Sequence, residues 1–558
     1  MKHAFLHKSH SSHRAYKSYL PASPTHLNPL RAAFRKSPMG TTENSRGLQP
    51  PVTRPGMAKP RRGGRAILAI FAALAVLLAA TPLNAAPAVA AATPKLVPVV
   101  RVNATDQAWD FFHPWTKHAP YSRRGLGAVL DHGEVLVTAE LVENANYVEL
   151  ERAESGERVP ATVVAVDYEA DLALLKPSDD QFLTGITPLQ ITDAAVGDHL
   201  SVWQLESTGA LLITDALLTT VEVGKYPQDD IALLDYSLTT SLQYRDGSFT
   251  LPIVKGGKLA GLLLRYDTRT QNANAIPSDI INHFLADAAG PAYGGFPKAG
   301  LTFAPTRDPQ LRRYAGIPAT VSGGVYVTHV ERNSPGEAAG IKPGDILTGV
   351  AGKSVDQDGN YNDPIHGKLS LTNLISLQTA GSKVPFKLLR SGTAMDVDVT
   401  VSHRAADTYV IPPYVINKAP SYYVLGGLVF QELSREYLRE WGADWQKKAP
   451  ERMVYYDHYQ SDLFQDSRKR LVILSQVLPT DDSIGYEELG ALVVTRINDI
   501  PLNSFADVPA ALAHPVNGFD KIEFEENPTV IYLDARQVAS HVDDLKATYG
   551  LPDISQTE

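Results

Sequence analysis

The sequence predicts a mainly β chain: an all-β barrel or sandwich over residues 96–290, then two smaller units over 296–405 and 412–541. Three observations predict it. Short β-runs alternate with turn residues through the first region, as in Gly127-Ala128-Val129-Leu130, the turn Asp131-His132-Gly133, and Val135-Leu136-Val137. The stretch 289–297 (AGPAYGGFP) has the Gly/Pro content of a linker. The chain of 558 residues, 44% hydrophobic and 20% charged, has room for about three to four domains of ordinary globular composition.

In chain order, residues 1–56 are rich in His, Ser, Pro and Arg without periodicity, and read as a disordered extension ahead of a translation start at Met57, with Met39 as the other candidate. Lys59, Arg61, Arg62 and Arg65 precede the apolar run 66–80, and Ala88-Val89-Ala90 follows. A basic segment, a short apolar core and an A-x-A site make 57–90 a secretory signal peptide, with a retained anchor as the alternative. A mature protein beginning near 86–91 is then periplasmic or secreted, touching a membrane only through an uncleaved leader.

In the first folded region, 161–166, 172–175 and 259–264 read as further strands, and Pro277-Ser278-Asp279 opens a helix with an apolar face. In the second unit, the helix-like run 371–378 precedes a strand at 384–389. The third unit carries β-runs at 427–430, 471–477, 492–497 and 529–533, and 542–558 reads as a polar tail. Net charge −9 provides no basic footprint for nucleic acid. With no cysteine there is no disulfide, thiolate metal site or Cys nucleophile. No cofactor is implied and no metal is expected: Asp356-Gln357-Asp358-Gly359-Asn360 hints at a calcium loop, but its glycine is at the wrong offset and position twelve is Gly367.

Three blocks, in order, resemble the HtrA/Deg family of trypsin-like serine proteases, in particular its plant-type Deg subgroup. GLGAVLDHGEVLVTAELV (125–142) resembles the segment that carries the family's histidine, Asp171-Leu172-Ala173-Leu174-Leu175 the segment that carries its aspartate, and 247–278 its nucleophile block, following strand and helix entry. Ser334 to Leu347 (SPGEAAGIKPGDIL) resembles the family's PDZ domain. The third unit, with Pro420-Ser421-Tyr422-Tyr423 and Gly427-Leu428-Val429-Phe430, resembles its divergent second PDZ, and His113-Pro114-Trp115 is also similar to the plant-type subgroup. The resemblance implies a chymotrypsin-like double β-barrel followed by two α+β PDZ-type domains, built into trimers.

Carried over position by position, the base falls on Glu140, the orienting carboxylate on Asp171, and the nucleophile on Phe249 in Gly247-Ser248-Phe249-Thr250-Leu251-Pro252. A phenyl ring cannot attack a carbonyl, and a carboxylate of ordinary pKa accepts a serine proton poorly at neutral pH. Thr250 and Leu251 stand where the family has glycines, which puts the oxyanion hole in doubt. The resemblance therefore implies a degenerate protease, with Ser248 the fallback nucleophile or simply a turn residue. Glu140 is then a loop carboxylate or tied to a nearby cation, Phe249 an apolar filler, and His132 an exposed turn residue.

What can survive is peptide capture by strand addition. The resemblance places the first PDZ groove between Gly300-Leu301-Thr302-Phe303 and Leu371, Leu374, Ile375 and Gln378. Implied partners are C-termini of peptides or unfolded proteins, together with further copies of this chain in a trimer-based assembly or an active paralogue. Phe111, Phe112, Pro114 and Trp115 form an aromatic segment that fits either a subunit contact or a local plug.

Overall fold

Two closed six-stranded barrels carry the N-terminal half of the folded chain. The computed structural model describes residues 96–557 apart from 227–230, 244–249 and 465–466. The expected extension and leader at 1–90, and Gly247, Ser248 and Phe249, lie outside the described residues. The first barrel comprises β1 (Val99–Asp106), β2 (Tyr121–Val129), β3 (Val135–Val137), β4 (Ala145–Glu151), β5 (Arg158–Asp167) and β6 (Leu172–Pro177), in the order β1-β2-β3-β6-β5-β4. The second comprises β7 (His199–Leu205), β8 (Leu211–Lys225), β9 (Ala232–Thr240), β10 (Pro252–Lys255), β11 (Lys258–Asp267) and β12 (Asn272–Pro277), in the order β10-β11-β12-β9-β8-β7. Closure leaves neither sheet with a free edge.

Alternating side chains fill the barrels; Val100, Val102, Val135, Val137 and Leu175 are fully buried in the first. Gly127 sits where only hydrogen fits, because a Cβ there would come within 2.1 Å of the Val135 side chain. The barrels meet at Thr250, whose carbonyl accepts the Leu126 N–H at 2.9 Å. The expected helix is α1 (Ser278–Ala288), packed on the second barrel through Ile280, Ile281 and Phe284.

The second unit is a sheet of β13 (Leu301–Ala304), β14 (Val325–Val330), β15 (Ile346–Val350), β16 (Lys353–Ser354), β19 (Lys383–Arg390) and β20 (Thr393–Thr400), ordered β13-β14-β15-β19-β20 with β16 on β15. Beside it lie the hairpin β17 (Asn360–Asp363) and β18 (Gly367–Ser370), and the helices α2 (Pro309–Tyr314), α3 (Pro335–Ala338) and α4 (Asn373–Ser376). The third unit has β21 (Tyr422–Leu425), β22 (Leu428–Glu432), β23 (Val472–Val477), β24 (Leu492–Ile497), β25 (Ile500–Pro501), β26 (Phe519–Phe524), β27 (Val530–Asp534) and β28 (Ser555–Gln556) in one sheet. Between β22 and β23 come α5 (Arg435–Arg439), α6 (Trp445–Lys448) and α7 (Glu451–Leu463), and further on α8 (Asp507–Leu512), α9 (Ala535–Ser540) and α10 (Val542–Tyr549).

The stretch 542–558 differs from the polar tail expected. It carries α10 and β28, and β28 pairs with β21. Leu545 and Leu551 are buried against Tyr422 and Val424, so apolar burial anchors the segment despite its polar composition. The aromatic segment, expected ahead of the strands, lies between β1 and β2 of the first barrel and packs within the chain: the Phe112 ring stands edge-on to Trp441 at 4.9 Å and to Tyr437 at 5.9 Å, and Trp115 edge-on to Tyr422 at 5.9 Å.

Candidate functional site

Glu140 lies on a single 3-10 turn, Ala139–Leu141, directly after β3, with Ala139 and Leu141 anchored in the core below. Its main-chain N–H donates to Asp171 Oδ1 at 2.7 Å. Asp171 directly precedes β6 in a left-handed conformation, φ 53°, and is 2% exposed. Its Oδ2 has no hydrogen-bond partner among the described residues. Burial pushes the Asp171 carboxyl well above the usual range; the Glu140 N–H opposes this, and the Glu140 and Glu143 charges add to it. The structure thus brings Glu140 and Asp171 together as two acids, with no imidazole of the described residues between them.

Thr250 and Leu251 are fully buried. The Thr250 hydroxyl lies 2.5 Å from the Thr138 hydroxyl and accepts the Thr138 N–H at 3.3 Å. Leu251 belongs to the barrel core, and its carbonyl accepts the Leu263 N–H at 2.8 Å. Both side chains are thus built into the barrel junction. Arg123 spans the same region: its guanidinium pairs with Asp106 at 3.0 Å and donates to the Glu140 carbonyl.

Beside Glu140 is a cavity of about 480 Å³ between the first barrel and the helices α5 and α6. Glu143 and Glu436 reach it as well, and sequence reasoning missed both. Burial, with Glu436 second, pushes the Glu143 carboxyl up to about 7. The spacing Glu140-x-x-Glu143 around one tight turn was the available signal for Glu143; Glu436 arrives from a chain segment far away and left none.

A second concavity, of about 750 Å³, is the slot beside β13. Gly300, Leu301, Thr302 and Phe303 line it, as do Leu371 and Ile375. Leu374 and Gln378 do not line it: Leu374 packs against the barrel and second-unit cores, and the Gln378 amide donates to the Leu374 carbonyl at 3.0 Å. Gly300 is in the left-handed region at φ 68°, and a Cβ there would come within 2.2 Å of Ser334 Cβ. β13 is the terminal strand of its sheet, so its outer edge is open to an added strand among the described residues. Unforeseen from sequence, α7 forms the opposite wall through Asp457, His458, Tyr459 and Asp462, and His329 Nε2 lies 3.4 Å from Asp462 Oδ1.

PDZ-domain models match residues 297–401 and 411–556. Protease Do-like 2, chloroplastic, from Arabidopsis thaliana is 24% identical, over 81% of this chain and 74% of that protein. Protease Do-like 4, mitochondrial, from the same plant is 22% identical over 61% and 65%. Serine protease HTRA1 of Xenopus tropicalis is 26% identical over 47% and 59%. Among solved structures, the HtrA-type protease AlgW with decapeptide overlaps 56% of this chain and 97% of its own at 16% identity, with a TM-score of 0.42. With its paired β-barrels, its two matched domains and the Do-like and HTRA1 sequence relatives, the chain carries two PDZ domains and is a homologue of the Deg/HtrA serine proteases.

Proposed function

We propose that this chain holds polypeptide C-termini rather than cutting them: a pseudoprotease of the Deg/HtrA type that acts as a peptide-binding scaffold or chaperone-like factor in protein quality control. The observation that carries the reading is the Glu140–Asp171 arrangement. A triad needs an imidazole that accepts the nucleophile's proton and is oriented by a carboxylate. Here the residue whose N–H meets Asp171 is a glutamate, and the family position for the nucleophile, outside the described residues, is a phenylalanine in the sequence. The slot beside β13 needs no triad, and its open strand edge and apolar floor suit an extended peptide whose last carboxylate meets the backbone near Gly300. Export behind the leader at 57–90, and assembly as a trimer or with an active paralogue, belong to the same proposal.

Purified mature protein is assayed on casein and on fluorogenic peptides, with and without a serine-reactive phosphonate, and against a C-terminal peptide library. The reading expects no cleavage, no covalent label, and enrichment of a subset of C-termini. Labelling at Ser248 would replace it with a rearranged serine endopeptidase. Absence of both label and enrichment would leave a purely structural oligomer. The double change Glu140→His with Phe249→Ser asks whether the chemistry alone was lost. The buried Thr250 and Leu251 predict that activity stays absent.

A further inference from the structure

Among the described residues, the cavity beside Glu140 is short of positive charge. Four carboxylates, Glu140, Glu143, Asp171 and Glu436, line it against a single guanidinium, Arg439. Arg439 is bonded to Glu436 Oε1 at 2.9 Å. The nearby Arg123 guanidinium is engaged by Asp106 and by the Glu140 carbonyl, outside the lining. Asp171, which lines it, is 2% exposed, and its Oδ2 has no hydrogen-bond partner among the described residues. Buried carboxylates are costly to keep unless a cation or a donor completes them.

The size and spread of the acids select the cation. A metal ion needs ligand atoms converging on one point, and among the described residues the one group of three that does so within 4.8 Å is Asp110, His118 and Glu440, not these. A cavity of about 480 Å³ with dispersed carboxylates suits a larger, diffuse charge on an apolar stem. Tyr168 and Trp445 contribute aromatic wall, which favours an alkyl stem and a cationic head.

We propose that this cavity binds the ammonium or guanidinium end of a lysine or arginine side chain of a bound polypeptide. The site is separate from the slot beside β13 and stands whether or not that slot takes C-termini. Butylammonium and agmatine, which carry the two head groups, are titrated into the full chain by calorimetry and thermal shift, with n-butanol as the neutral control. Saturable binding of the cations, none of the alcohol, and affinity weakened about tenfold by Glu143→Gln with Glu436→Gln are expected. The ligand-free variant should keep the parent's fold, because Glu143→Gln relieves repulsion and Glu436→Gln keeps a side-chain oxygen that accepts from Arg439. Should that variant not fold, Glu140→Gln, whose side chain has only partial burial, carries the same affinity test. Absence of saturable binding by the parent, or binding unchanged in the folded variants, overturns the proposal.

Discussion

Thr250 shows how one residue can be read from sequence and still surprise. Its place in the nucleophile block marked it as a reshaper of the pocket. What it does there depends on Thr138, 112 residues away in the chain, and no local pattern encodes that pairing. Thr250→Val keeps the volume and leaves the Thr138 hydroxyl and N–H without their partner, so it should cost about 1–3 kcal/mol in urea unfolding, and Thr250→Ser far less. Glu143 carries a pH signature. Its folded pKa, about 7, exceeds the ordinary 4.5, so the folded chain binds that proton more tightly than the unfolded one. Its contribution is complete below 4.5 and is lost as pH rises towards 7. Asp235, pushed to about 7 by burial, and Asp106, raised to about 6 by burial against Arg123, act in the same direction. Melting temperature should fall across that window, and Glu143→Gln should flatten the slope.

At the scale of elements, the strands were readable and the helices between β22 and β23 were not. Strands announce themselves by Val, Ile and Leu in short runs, as in β23, which is buried throughout. α7 buries Met453 together with Asp457 and Gln460, so its inward face is largely polar and shows no apolar stripe. Its polar groups are satisfied by tertiary partners: Asp457 by Arg435 on α5, at 3.1 Å, and Gln460 by both main-chain groups of Ile411. Both members of the ion pair are under a tenth exposed. Asp457→Ala takes the carboxylate from a buried guanidinium and should cost about 3–5 kcal/mol, read as a shifted denaturation midpoint. Gly300, by contrast, was placed from the family resemblance at the edge of the first PDZ groove, and it lines the slot beside β13. Gly300→Ala forces a Cβ into Ser334 and should weaken peptide capture by about tenfold, measured by fluorescence anisotropy, with the barrels intact.

For the whole molecule, the fold class and the order of domains were legible because most of each core comes from its own unit and leaves its own pattern, even though Tyr361 and Leu369 of the second unit join the barrel core. How the units dock was not, because docking rests on single residues scattered along the chain. Phe111 packs with Leu433, Leu438 and Met453 of the third unit, its N–H donates to Glu440 Oε1 at 3.0 Å, and Asn417 N–H reaches Asn144 Oδ1 at 2.9 Å. Phe112→Ala should loosen this junction by about 3 kcal/mol, seen as faster limited proteolysis between the barrels and the third unit while each retains its secondary structure.

The slot beside β13 has one wall from the first PDZ domain and the other from α7 of the second. Its width is therefore a property of the angle between two domains and not of either alone. By thermodynamic reciprocity, whatever prefers one width also stiffens that angle, and whatever pries the domains apart expels the occupant. If the slot holds a chain end as proposed, it works as a caliper: the girth of that chain end is converted into the posture of the two domains.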